Sequence, residues 1–360
     1  MSVGLCSKIV RRFLYNAVPI NKIACAQNEA HVPVMSKEVL EYLKPEDGQT
    51  IIDMTFGAGG HSKLILERAP NVKLITLDRD PLGYAYANEL REKYPNNVIP
   101  LLGKFSELPA LLGTNNIRQN TIDGILFDFG CSSMQFDTAS RGFALSKNGP
   151  LDMRMDQNRC SDQVTAADVV NKAGENDLYR IFKVYGEEKQ ARKIARAIVE
   201  TRHAFKRIET TKELADIVFA CFDSAYKLDK IQRHSHPATK VFQALRIFVN
   251  DELNEINYGM IIAQRLLKIG GRMVTLTFHS LEDTIVKRHI SGNISNDMAN
   301  KIPLKFCSYQ LTHDKAALDQ IMESKWEQLH QHVITPKFEE IENNPRCRSA
   351  KLRAAIKTSN

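Results

Sequence analysis

Apolar residues fall into short, nearly continuous runs, each followed by a longer stretch of helical periodicity. Val34 to Leu43 reads as a short amphipathic helix, stopped by Pro45 and Gly48. Gln49 to Met54 is a strand pattern that runs straight into glycines, and a helix follows over Ser62 to Arg68. Val72 to Leu77 is a second apolar strand, ending on Asp78, before a helix over Pro81 to Lys93. Val98 to Leu102 and Ile122 to Phe127 are the third and fourth strands, the latter ending on Asp128. Apolar strands alternating with helices predict a parallel sheet covered on both faces.

The alternation stops near residue 140. Gln163 to about Tyr226 is helical in pattern, with no convincing strand. Phe242 to Leu267 then predicts one or two helices, Gly270-Gly271 a break, and Arg272 to Phe278 a fifth strand. Glu327 to Thr335 and Ala350 to Ile356 are expected to form an antiparallel pair at the sheet edge. The expected organisation is a sheet domain over 29–140 and 242–360, with an all-helical domain over 141–241 inserted between the fourth and fifth strands.

Composition narrows the class. Of 360 residues, 43% are hydrophobic and 25% charged, which is ordinary globular usage. The formal net charge of +7 is compatible with a nucleic-acid partner without requiring one. Seven cysteines, an odd number with no C-x-x-C spacing, argue against a disulfide framework or a structural zinc site. The pairs His234/His236 and His330/His332 lack further ligands at metal-binding spacing, so no metal is expected. No uncharged apolar stretch reaches the ~18 residues of a membrane helix. Residues 1–28 carry Lys8, Arg11, Arg12 and Lys22 but no acid, beside Leu5, Ile9, Val10, Phe13 and Leu14. That composition predicts a mitochondrial transit segment and a matrix location.

The turn Asp53-Met54-Thr55-Phe56-Gly57-Ala58-Gly59-Gly60 follows the first strand, where glycines let the backbone approach a ligand. Asp78 follows at the ~20-residue separation expected of a ribose-binding acid. The glycines do not spell G-x-G-x-x-G, which disfavours a nicotinamide cofactor. Asp128 ends the fourth strand, on the side where such sheets bring cofactor and substrate together.

Longer motifs then become recognisable. They include His61 to Leu66, Leu77 to Pro81, Asp128 to Gln135, Arg141-Gly142-Phe143 and Gly149 to Asp156. Tyr185 to Glu188, His236 to Thr239, Phe242 to Ile247, Phe278 to Asp283 and Asn344 to Ser349 follow in order. Together they resemble the small-subunit ribosomal RNA cytosine-N4 methyltransferase family. Phe129 and Cys131 depart mildly from its pattern, and 291–329 matches it poorly. The resemblance implies a Rossmann-like class I methyltransferase sheet with an inserted helical domain, using S-adenosyl-L-methionine. It implies Gly59, Gly60, His61, Asp78, Phe105, Asp128 and Gln135 as cofactor contacts. The implied substrate is a cytidine N4 in small-subunit ribosomal RNA, free or in an assembling subunit, with assembly factors as further partners.

For catalysis, Asp128 is the leading acceptor of an N4 hydrogen. Ser132 either joins it or simply caps the following backbone. Asp152 either faces the cytosine, with Arg154 on a phosphate, or both belong to an internal ion-pair cluster. His279 either orients the base or is a hydrogen-bonded structural histidine. Arg180 to Arg207 holds nine basic and three acidic residues, most of the chain's net charge. Arg192, Lys193 and Arg196 in that run, with Arg141, Arg154 and Lys240, are the RNA-contact candidates. Two other functions fit the same cofactor loop: a cofactor-binding ribosome assembly factor with methylation secondary, and a methyltransferase acting on a non-RNA substrate.

Overall fold

A computed structural model describes residues 33–359 except 116, 158, 160, 161, 205, 223–226, 229–233, 293, 296, 297 and 300–323. The predicted transit segment and most of 291–329 lie outside these residues. Helix α1 (Ser36–Leu43) precedes β1 (Thr50–Asp53), α2 (Gly60–Arg68), β2 (Lys73–Asp78) and α3 (Pro81–Lys93). Then come β3 (Val98–Leu102), α4 (Leu108–Thr114), β4 (Ile122–Asp128) and α5 (Ser133–Asp137). The helical segment holds α6 (Ala166–Lys172), α7 (Glu175–Val184), α8 (Ala191–Ala204) and α9 (Thr211–Ala220). It is followed by α10 (Thr239–Val249), α11 (Glu252–Leu266), β5 (Leu267–Thr277) and α12 (Ser280–Ile290). β6 (Trp326–Gln328), α13 (Phe338–Asn343) and β7 (Lys351–Lys357) complete the order.

Seven strands form one sheet in the order β6-β7-β5-β4-β1-β2-β3. Neighbours from β5 to β3 pair in parallel, while β7 runs antiparallel to both β5 and β6. Alternation of side chains decides the layers. Ile52, Ile75, Leu77, Ile125 and Phe127 point into one core with Ile256, Met260 and Ala263 of α11. Ile51, Leu74 and Leu126 point into the opposite core with Val39 and Leu43 of α1 and Ile65 of α2. Each fully buried side chain of this size stabilises the fold by roughly 1.5–3 kcal/mol. A third core belongs to the helices. Leu178, Phe182, Ile194, Ile198, Leu214 and Val218 meet Leu245 of α10 there, with Leu151, Met153 and Met155 from the loop before α6.

Two local readings need correction. Gly270-Gly271 does not precede the fifth strand but lies inside it. β5 begins at Leu267, and its register with β4 jumps from Ile122↔Leu267 to Gly124↔Arg272, so the glycines absorb a bulge. Gly270, at φ +83°, supplies the left-handed residue that the bulge needs. Helix α4 was also not expected. Its Leu108 and Leu112 dock in the sheet core, and tertiary burial outweighs its Pro and Gly content.

Candidate active site

The ends of β1, β2 and β4 converge on the glycine turn. The Thr55 hydroxyl accepts the Asp128 N–H at 2.6 Å, and the Met54 N–H donates to Leu126, tying β1 to β4. Asp53 is buried, accepting from Ser62 Oγ at 2.7 Å and the Thr55 N–H at 3.1 Å. Burial pushes its carboxyl up to about 6. Gly59 sits at φ +76°, and a Cβ there would come 2.5 Å from the Phe56 ring. Only glycine fits both the backbone and the space. Gly60 and His61 open α2, whose N-cap Gly59 offers no side chain. No side chain caps the first turn of that helix.

Asp78, half-buried at the end of β2, accepts the Gly57 N–H at 2.7 Å and the Asp80 N–H at 2.8 Å. Burial pushes its carboxyl up to about 7, with Asp80 and Asp53 adding repulsion. A carboxylate has about four lone-pair sites, so two backbone donors leave room for ribose hydroxyls. Gly83, in the first turn of α3, makes that placement possible, since a Cβ there would lie 2.5 Å from Asp78 Oδ2. Sequence reasoning missed Gly83; its signal was a glycine in an otherwise good helix, two residues after Pro81. Phe105 follows β3, its ring edge-on to Phe127 at 5.6 Å and to Phe129 at 6.0 Å.

Asp128 is the acid that the fold leaves least satisfied. Its Oδ2 lies 3.7 Å from His61 Nε2, and its Oδ1 is buried without a hydrogen-bond partner among the described residues. Burial pushes the carboxyl up to about 7, and the charges of Asp53 and Glu282 add to the shift. A buried acceptor without a donor is costly, so this atom is suited to a bound group that brings one. The turn beyond it is occupied otherwise. Ser132 caps α5, exchanging hydrogen bonds with Gln135, and Gln135 Nε2 donates to Asp80 at 2.9 Å. Ser132 and Gln135 are thus engaged within the protein. The Cys131 thiol is pushed up to about 12 by burial, which keeps it protonated.

Around this cleft the remaining predicted residues are paired. Arg141 donates to Asp80 at 2.7 Å and to the Arg154 and Met155 carbonyls. Arg154 forks onto both oxygens of Asp152 at 2.8 and 2.7 Å. Asp156, fully buried, meets Arg79, Lys104 and Arg159. Arg154 and Asp152 thus form a part-buried ion pair two residues apart, beside the fully buried cluster around Asp156. His279 caps α12, its Nδ1 accepting from the Leu281 N–H at 3.1 Å, and burial lowers its pKa. Sequence reasoning also missed Arg246, an isolated charge in the apolar run of α10. Its guanidinium spans Glu252 and Glu282 behind the Asp128 turn.

On α8, Arg192 stacks over the Tyr179 ring at 4.5 Å, Arg196 lies 3.7 Å from Glu175, and Lys193 is exposed. Lys240 donates to the Glu187 carbonyl at 3.0 Å. His330 ties the sheet edge, its Nε2 accepting from the Ala354 N–H at 2.9 Å, while His236 stacks on Phe219. The His234 side chain lies outside the described residues. Among the described residues no three His, Cys, Asp or Glu side chains form a metal-binding group, and no helix is long and apolar enough to cross a membrane.

The sheet, with β7 antiparallel between β5 and β6 and acids closing β2 and β4, is an α/β fold with its cleft at the strand ends, and the family to which the chain belongs makes it a methyltransferase dependent on S-adenosyl-L-methionine. The chain belongs to the MraW methylase family, which matches residues 28–358. A mouse protein named 12S rRNA N(4)-cytidine methyltransferase METTL15 is 48% identical over 342 residues, covering 92% of this chain and 84% of that one. Ribosomal RNA small subunit methyltransferase H of Ehrlichia canis (strain Jake) is 43% identical over 328 residues, covering 91% and 99%. A Culex quinquefasciatus protein named for receptor-type tyrosine-protein phosphatase mosPTP-1 is 62% identical over 327 residues, covering 91% of this chain. Those residues make up only 22% of that longer protein. The cleft fits the cofactor: beside the glycine turn Asp78 accepts from two backbone N–H groups only and Asp128 Oδ1 from none among the described residues, so both keep acceptor capacity.

Proposed function

We propose that this chain methylates the exocyclic N4 of a cytidine in small-subunit ribosomal RNA of mitochondria, in the matrix. The similarity to the mouse and Ehrlichia proteins, named for that RNA class, supports the substrate. The acid-free residues 1–28 support the compartment. The observation that carries the chemistry is Asp128, with one oxygen unpartnered at the strand end beside the glycine turn.

A cytosine amine is a weak nucleophile because its lone pair is delocalised into the ring. Asp128 Oδ1 accepts one N4 hydrogen, which favours the pyramidal amine and localises the lone pair. The bound cofactor supplies an electrophilic methyl group, so the protein's work is alignment and proton handling. Asp78, Gly59, Gly60, His61 and Phe105 would hold the cofactor, Asp78 through its ribose hydroxyls. As N4 gains its methyl group it sheds a proton, which Asp128 is placed to take. The base must be single-stranded or flipped to reach this acid. The helical segment over 141–241, with Lys193 exposed on α8, holds the RNA backbone beside the cleft.

Mass spectrometry of small-subunit RNA nucleosides tests the function. Cells carrying Asp128→Asn should lose N4-methylcytidine from mitochondrial small-subunit RNA, while the parent restores it. N4-methylcytidine unchanged in cells that lack the protein altogether would remove the RNA substrate, whereas its retention in Asp128→Asn alone would pass the acceptor role to main chain; a rescued ribosome without the methyl mark would favour an assembly role instead.

A further inference from the structure

The basic run from Arg180 to Arg207 divides into two unlike parts. On the first half of α8, Arg192 and Arg196 are drawn onto Tyr179 and Glu175 of α7. At the other end of α8 there is a groove of about 260 Å³ lined by Asn171, Lys172, Arg202, His203 and Arg207. None of these five is acidic. Three are permanently cationic, and His203 becomes so on protonation.

The groove is built rather than draped. Arg202 donates to the Val170 carbonyl at 2.7 Å. Asn171 accepts the Ile208 N–H at 3.0 Å and donates to the Ile208 carbonyl at 2.7 Å, pinning the loop that carries Arg207 to the end of α6. Cations at helix C-termini are ordinarily explained by the helix dipole. Here Arg202 answers the end of α6, and Lys172 pairs with Asp168 at 2.9 Å. Arg207 and His203 are exposed and make no ion pair among the described residues, so cationic charge is left over.

We propose that this groove is a phosphate subsite for the RNA backbone flanking the target nucleotide, outside the catalytic cleft. The proposal rests on the RNA substrate argued above. A continuous path joins the two places. Directly after Arg207, the Glu209 carbonyl accepts the Leu151 N–H at 2.8 Å, and the Thr211 N–H donates to Gly149 at 3.0 Å. The Gly149–Asp156 segment then reaches Arg79 through Asp156, one residue from Asp78. A phosphate held in the groove is thereby placed at a set position relative to the cofactor turn, on rigid backbone pairing rather than on a free loop.

The test is a salt titration of binding between the full chain and a small-subunit rRNA fragment, comparing the parent with His203→Gln/Arg207→Gln. Both side chains are exposed, so the fold and the calorimetric affinity for S-adenosyl-L-methionine should be retained. The slope of log affinity against log salt should lessen by about one to two units in the double variant. Arg207→Glu should weaken binding further. Parental slope and affinity in both variants, with the parent still methylating the fragment, would overturn the groove and leave the function standing. A parent that neither binds nor methylates the fragment would overturn the RNA substrate and the groove with it.

Discussion

Two groups of acids stand around the strand ends, and the rest of the chain surrounds them differently. Asp53, Asp78 and Asp128 crown β1, β2 and β4 with no Lys or Arg partner among the described residues, and burial raises all three, to about 6, 7 and 7. Asp80 and Asp156 sit just beyond β2 and are enclosed by Arg79, Arg141, Lys104 and Arg159. Burial would raise Asp156 as well, but the hydrogen bond and charge of Arg79, with Lys104 and Arg159, outweigh it and lower the carboxyl. The contrast separates roles. Acids that the protein neutralises for itself join the helical segment to the sheet, and acids that it leaves uncompensated await a ligand.

The largest effect should come from breaking the first kind. Asp156→Ala leaves Arg79 and Arg159 facing a void, and removal of one partner from a buried ion pair costs about 3–5 kcal/mol. Denaturant unfolding should show that loss; a change under about 1 kcal/mol would mean the cluster is decorative. Asp128→Asn should leave stability unchanged or slightly raised, since it removes a repelled charge. Single-turnover methylation should fall ~100-fold or more while RNA affinity stays near the parent's. Full activity would pass the acceptor role to main chain.

Asp78→Ala should weaken cofactor binding by roughly 10- to 100-fold by calorimetry, the worth of one or two hydrogen bonds to a carboxylate. Gly59→Val should do the same by bringing its side chain onto Phe56. Unchanged affinity in both would displace the cofactor from this turn.

The smallest effect is on pH dependence, and its sign differs between the groups. An acid whose folded pKa is raised holds a proton that the unfolded chain has already lost. Between about 4 and about 7, Asp53, Asp78 and Asp128 therefore lower stability as pH rises, by up to ~1.4 kcal/mol per unit for each group. Above about 7 that slope vanishes. Asp156, lowered on folding, contributes stability that is present above its unfolded pKa of 3.8 and lost as pH falls through its folded value. Melting of the cofactor-free protein should be flatter between pH 5 and pH 7 in Asp128→Asn, and single-turnover methylation by the parent should rise through pH ~7. A pH-independent rate would take Asp128 out of the proton path.

Strand ends were readable because their signals are local. A run of Ile, Leu and Val meeting a lone Asp or a glycine needs no distant partner, so β1 to β4, the glycine turn, Asp78 and Asp128 stood out in the chain itself. The same is true of α3, where Asp80 caps and Pro81 starts the helix. Residues whose state depends on remote chain did not stand out. Whether Arg141 and Arg154 would face RNA or pair internally was undecidable locally. Arg141 meets Asp80 and the Arg154 carbonyl, contacts 61 and 13 residues apart in sequence. Asp156 finds Arg79 at a separation of 77 residues. Helix α4 formed only because Leu108 and Leu112 had a sheet to dock on. Periodicity and turn chemistry thus determined the α/β plan and the acids that crown it, because both follow from neighbouring residues. Tertiary structure alone decided which of the buried charges were neutralised and which stayed open to a ligand, because desolvation and pairing depend on whatever the rest of the chain brings alongside.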